Sequence, residues 1–269
     1  MKYILFGLLA IIFFSCSGLQ KTEYDKIRKK NLTAERIARN HDDMLDFIKN
    51  PSIKKSEPYF WEDVDQVYLP KITKDFFRCR GHNKNPPKEF NKVLLNDCNG
   101  SSKHSLPLIH GRENVYQTLL DILNYIQINL NQKVVITCGY RCPKHSVYAE
   151  PMQAESYHMI GAEVDFYIKG YETKADTVVE EIINYYKNSD LYKNQSDYTN
   201  FQRVSVNGTK TKAWVNKEIC IKYFDKSEGR DIDNRHPYPY ISIQVKYDKA
   251  LKEKIVFSKS KAEKGYYKW

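Results

Sequence analysis

The sequence predicts an α+β fold on three observations. Helical periodicity is confined to a few stretches, short strand-like runs cluster in the second half of the chain, and the two do not alternate as βαβ units would. The strongest helical pattern runs over residues 112–130. There Val115, Leu119, Ile122, Leu123, Ile126 and Leu130 recur on one face at helical spacing. A short buried strand follows at 134–137. Residues 162–168 alternate, with Ala162, Val164, Phe166 and Ile168 on one face and Glu163, Asp165 and Tyr167 on the other. A second helix is marked by Val178, Val179, Ile182, Ile183 and Tyr186, and two late strands are expected at 218–224 and 240–247. Few helices around a small antiparallel sheet is the architecture this implies.

The chain has 269 residues, 41% apolar and 28% charged, which is a globular composition and excludes wholesale disorder. No tandem repeat or heptad run is present, so solenoid and fibrous classes are excluded. Lys and Arg number 43 against 33 Asp and Glu, a net charge of +10. That charge suits nucleic acid, an anionic membrane or an acidic polymer, and by itself selects none of them.

The N-terminus decides among these. Lys2 precedes a nearly unbroken apolar run over residues 3–14. That run is shorter than the ~20 residues of a membrane-spanning helix and has the form of a secretory signal. Its end, Phe13-Phe14-Ser15-Cys16, resembles a relaxed bacterial lipobox, which makes Cys16 the expected lipidation site. The expected organisation is a lipoprotein signal peptide at 1–15, a lipid-anchored tether with one helix at 16–56, and the main domain at 57–269. The expected place is the periplasmic or wall-facing side of a membrane, with Ser17 favouring the outer one. Export removes nucleic acid as a partner.

Export also changes how the other cysteines read. In an oxidising compartment Cys79, Cys98, Cys138, Cys142 and Cys220 are disulfide candidates, and five leaves one over. Cys79 with Cys98 is the preferred pair, and Cys138 or Cys142 could pair with Cys220. The rival is a structural zinc site, because Cys79-x-x-His82 and Cys98-x5-His104 have loosely zinc-like spacing.

The stretch richest in chemistry is Thr137-Cys138-Gly139-Tyr140-Arg141-Cys142-Pro143-Lys144-His145, followed by Ser156-Tyr157-His158-Met159-Ile160-Gly161-Ala162-Glu163-Val164-Asp165. On a continuous helix His158 and Asp165 would lie ~10 Å apart along the axis, too far to share one zinc. Gly161 permits a sharp turn that folds His158 back over the strand face carrying Asp165. Imidazole and carboxylate together form a ligand set suited to zinc.

Ser-x-His-x-x-Gly-x-x-x-Asp, preceded by Gly-Tyr-Arg, resembles the zinc D-alanyl-D-alanine peptidase family, which includes the VanX and VanY enzymes and the L-alanyl-D-glutamate endopeptidases. The likeness covers residues 105–248, with Glu163 standing where the motif usually has alanine. It implies a hedgehog/D,D-peptidase-like domain that binds zinc and hydrolyses peptidoglycan stem peptides, as a carboxypeptidase or an endopeptidase. By the same resemblance His158 and Asp165 are the first two metal ligands, Arg141 stabilises the substrate oxyanion, and Ser156 contacts substrate. The family's closing acid-x-x-His is met downstream by Asp233-Asn234-Arg235-His236 alone. That assigns Asp233 as general base and His236 as third ligand. Pro237-Tyr238-Pro239 puts His236 on a loop, however, and Ser242 and Gln244 hold strand positions where a metal-site His and Asp would be expected. The alternative is therefore a catalytically degenerate lipoprotein that binds peptidoglycan or scaffolds the envelope.

Overall fold

The computed structural model describes residues 69–153 and 155–269, which fall within the unit Ser52–Trp269. The signal peptide, Cys16 and the tether helix lie outside the described residues.

The protein is α+β. Helix α1 (Gln117–Leu130) leads into strand β1 (Val134–Cys138), and helix α2 (Pro143–Ala149) and a 3-10 turn (Tyr157–Ile160) precede strand β2 (Glu163–Ile168). Helices α3 (Ala175–Asn188) and α4 (Ser196–Thr199) follow. Then come strands β3 (Gln202–Val204), β4 (Ala213–Val215), β5 (Ile219–Phe224) and β6 (Tyr240–Val245), and finally helix α5 (Lys259–Lys264). The six strands form one sheet in the order β1-β2-β6-β5-β4-β3, every neighbouring pair antiparallel. Small two-stranded hairpins lie outside it.

Helix α1 buries Leu119, Ile122, Leu123 and Ile126 against the sheet, the stripe expected from its periodicity. It begins at Gln117 rather than 112 because Leu108–Ile109 and Arg112–Glu113 pair as a hairpin. The two residues between them, His110 (φ 51°) and Gly111 (φ 74°), both adopt left-handed backbone, as a tight hairpin turn requires. Helix α3 packs against α1 and buries Val178, Val179, Ile182, Tyr185 and Tyr186.

On β2, Val164, Phe166 and Ile168 enter the core beneath the helices. The other face is not the solvated surface that an alternating pattern ordinarily implies. Glu163 and Asp165 are 6% and 5% exposed. Strands β5 and β6, the loop 225–239 between them and the 3-10 turn supply their partners. Arg230 ties that loop together by donating from Nη1 to the carbonyls of Asn234 and His236, at 3.1 and 3.2 Å, and from Nη2 to that of Tyr238, at 3.0 Å.

Candidate functional site

The sheet register sets the frame of the site. Cys138 on β1 faces Asp165 on β2, Asp165 faces Ser242 on β6, and Ser242 faces Lys222 on β5. A thiol, a carboxylate, a hydroxyl and an ammonium thus form one row across four strands, with Glu163 and Gln244 in the neighbouring row.

His158 reaches this row through the local turn. Gly161 caps the 3-10 turn in left-handed geometry (φ 69°, ψ 18°), a conformation costly to residues with a Cβ. The chain reverses there and brings His158 Nε2 to 3.5 Å from Asp165 Oδ2 and 3.9 Å from Glu163 Oε2. The Nδ1 atom lies 2.7 Å from the carbonyl of Gly139. A carbonyl only accepts, so Nδ1 carries the proton and donates, and Nε2 is the nitrogen turned toward the carboxylates. Burial works against a charge on His158, but Asp165 and Glu163 outweigh it and raise the imidazole pKa to about 9. Burial likewise opposes ionisation of Asp165, and the facing His158 overcomes it and lowers the carboxyl to about 2. The pair is an imidazolium and a carboxylate at neutral pH.

Further polar groups surround that pair. Asn234 Nδ2 donates to Asp165 Oδ2 at 2.8 Å, and its Oδ1 accepts from Thr137 Oγ1 at 2.6 Å. Glu163 accepts from Ser242 Oγ at 2.9 Å and is ion-paired with Lys222. The ammonium of Lys222 is the cation closest to hand for this carboxylate, supplied by the chain itself.

Arg141, 1% exposed, sits next to this cluster. It donates from Nε to Asp233 Oδ2 at 2.8 Å, from Nη1 to Glu150 Oε2 at 2.9 Å, and from Nη2 to Asp231. His145 bridges Asp97 Oδ1 (2.7 Å, from Nδ1) and Asp233 Oδ1 (3.0 Å, from Nε2). With both ring nitrogens donating to carboxylates it is an imidazolium; burial opposes that charge and Asp233 more than restores it. Asp233 pays for none of this with exposure: its side chain is 5% exposed, and burial is overcome by His145 and Arg141, which hold its carboxyl far below the usual range.

The expected site residues are therefore only partly brought together. His158, Asp165, Arg141 and Ser156 are buried in one neighbourhood, Ser156 opening the turn that carries His158. His236 does not join the ligand atoms around His158 and Asp165. Its ring packs on Tyr167 (5.0 Å), Tyr238 (5.9 Å) and Tyr240 (5.9 Å), and neither nitrogen has a hydrogen-bond partner among the described residues. Burial keeps it neutral, lowering its pKa to about 4. The flanking Pro237 and Pro239 and the Arg230 clamp hold this loop so that the ring covers Tyr167, two residues along β2 from Asp165. Asp233, expected as a base facing a metal, is an ion-pair partner of Arg141 and His145.

The expected disulfides are not formed: all five described cysteines are free. Cys79 and Cys98 do meet, but with their sulfurs 4.0 Å apart, about twice a disulfide bond. Cys138 Sγ lies 3.4 Å from His158 Nδ1, Cys142 joins Cys79 and Cys98, and Cys220 faces Gln244 on the sheet. Among the described residues two groups have the chemistry to bind a metal ion, Cys138 with His158 and Asp165, and Cys79 with Cys98, His104 and Cys142.

A zinc ion held by His158, Asp165 and His236 does not fit these residues. The third ligand is turned into an aromatic cluster, and Oδ2 of Asp165 already accepts from Asn234. Sequence reasoning missed Lys222, Asn234, Asp231 and Glu150 as members of the site. Asp231 carried a local signal, since its Oδ1 accepts the backbone amides of Asp233 and Asn234, an Asx turn. Lys222 carried another, a lone cation within the apolar run Ile219–Phe224.

No family model matches this chain, and no curated protein or solved structure matches it either.

Proposed function

We propose that this chain is a catalytically degenerate relative of the zinc D-alanyl-D-alanine peptidases: an exported, lipid-anchored envelope protein whose hedgehog/D,D-peptidase-like domain binds peptidoglycan without cutting it. The observation that carries this reading is the row Asp165–Ser242–Lys222. A hydroxyl occupies the strand position across from Asp165 where a third imidazole would be needed, and Lys222 with Glu163 forms an internal ion pair beside it. A fixed ammonium disfavours a divalent cation in the same place by charge repulsion. The resemblance supports the envelope role through Gly139-Tyr140-Arg141 and the Ser156-to-Asp165 motif, and the net charge of +10 suits anionic wall polymers.

The experiment is to incubate the protein with purified sacculi and muropeptides, with and without zinc, and to read both sedimentation and peptide masses. Co-sedimentation with sacculi and intact muropeptides in both conditions is the expected result. Zinc-dependent release of stem-peptide fragments, abolished by His158→Ala, overturns it.

A second reading is favoured by one observation: Cys138, His158 and Asp165 offer ligand atoms within 4.8 Å of one another. With Cys138 in place of His236, the same domain would be a zinc peptidase of carboxypeptidase or endopeptidase type. In the structure Asn234 donates to Oδ2 of Asp165, which leaves that carboxylate less free than its proximity implies.

A further inference from the structure

We propose that Cys79, Cys98, His104 and Cys142 form a structural zinc site separate from the motif region. The four ligand atoms lie within 4.8 Å of one another, and the residues are 1%, 3%, 6% and 2% exposed. Zinc–sulfur bonds of ~2.3 Å and zinc–nitrogen bonds of ~2.0–2.1 Å arranged tetrahedrally put two sulfurs ~3.8 Å apart, and a sulfur and a nitrogen ~3.6 Å apart. The protein has 4.0 Å for Cys79 Sγ to Cys98 Sγ and 3.7 Å for Cys98 Sγ to His104 Nε2. These are edges of a zinc tetrahedron, and they are too long for a sulfur–sulfur bond.

The surroundings are those of a metal site. His104 Nδ1 lies 3.2 Å from the carbonyl of Ser105 and donates to it, so Nε2 presents its lone pair to the cluster. The backbone amides of Gly100 and His145 each donate to a sulfur, Cys98 Sγ and Cys142 Sγ, both at 3.4 Å. Such bonds offset thiolate charge. A Cβ at position 81 would collide with Cys98 Sγ, so Gly81 is required for the loops to close around the centre. With three thiolates and one neutral imidazole, the set is complete for zinc and leaves no open position, the mark of a structural rather than a catalytic ion.

The fold gives the site a task. Cys79 and Cys98 lie in irregular chain, His104 just follows a short 3-10 turn, and Cys142 directly precedes α2. One ion would tie this loop-rich region to the end of β1, a stretch with little regular structure to hold itself. Cys142 is also the residue after Arg141, so the ion would set the position of the Arg141 and His145 network.

The test is zinc content of the full chain by mass spectrometry. One zinc per chain is expected, lost in Cys98→Ser and in His104→Ala and kept in His158→Ala. Should the cysteine variant not fold, cobalt replacement in the unaltered chain serves instead, with thiolate-to-cobalt charge-transfer absorption expected. Retention of the zinc in Cys98→Ser with its loss in His158→Ala overturns the site and moves the metal to the motif region. Peptide mapping that links Cys79 to Cys98 or Cys142 in the exported protein overturns it as well. Neither result depends on whether the domain cuts or binds peptidoglycan.

Discussion

Two buried clusters of metal-ligating side chains flank the Arg141-Cys142 peptide, and they differ in what satisfies their polar atoms. Around His158 and Asp165 the chain supplies charged and polar partners: Asn234 donates to Oδ2 of Asp165, His158 Nε2 faces Asp165 and Glu163, and Ser242 and Lys222 attend the adjoining Glu163. Around Cys79, Cys98, His104 and Cys142, the sulfurs and one imidazole nitrogen face one another, with only backbone amides attending them. Proximity of ligands is common to both. A lysine paired with the adjoining acid marks the first, and sulfur and nitrogen lone pairs that converge on one another mark the second.

The comparison can be broken first at Arg141. Arg141→Met leaves Asp231 buried without its guanidinium partner and Asp233 paired with His145 alone, and is expected to destabilise the domain by about 3–5 kcal/mol, read from denaturant midpoints. Lys222→Met is expected to cost about as much as other broken buried pairs, ~3 kcal/mol, by stranding Glu163. Combining it with Glu163→Gln should recover most of that loss; no recovery would mean that the ion pair is not what fills the row. Asn234→Ala removes the hydrogen bonds to Asp165 and Thr137, at an expected cost of about 1–3 kcal/mol.

The pH dependence sharpens the same contrast. Because the folded pKa of His158 is raised to about 9, the stability carried by its charged ring is complete below the ordinary histidine value of ~6.5 and disappears as pH rises through 9. Asp165 works in the opposite window: its pKa is lowered to about 2, so its contribution stands above ~3.9 and is lost as pH falls through 2. A histidine ring signal titrating near 9, and shifted down by Asp165→Asn, is the expected spectrum. A His158 ring that never protonates down to neutral pH would mean that a metal holds its Nε2.

Much of the fold was legible. The α1 stripe, the alternation of β2 and the turn at Gly161 rest on local periodicity and backbone preference, and each appears in the structure. Strands β3 and β4, three residues each, carry too short a pattern to read, and β3 is exposed throughout. The convergence of His158 on Asp165 was legible because one glycine determines it. The fate of His236 was not, because Arg230 and Tyr167 place it from elsewhere in the chain. The cysteine cluster draws on four loop segments, so its spacing showed only the Cys79, Cys98 and His104 part of the set and suggested His82. The nitrogen of His82 instead accepts from the amide of Lys84 at 3.0 Å. Cys142 completes the set from beyond β1, a contact that only tertiary structure supplies.

The most direct test of the contrast is anomalous diffraction at the zinc edge from crystals grown with zinc present. One peak bounded by Cys79, Cys98, His104 and Cys142, with none between His158 and Asp165, is the result expected. A peak between His158 and Asp165 would contradict the claim that the chain's own Lys222 and Asn234 have taken the place of a metal there.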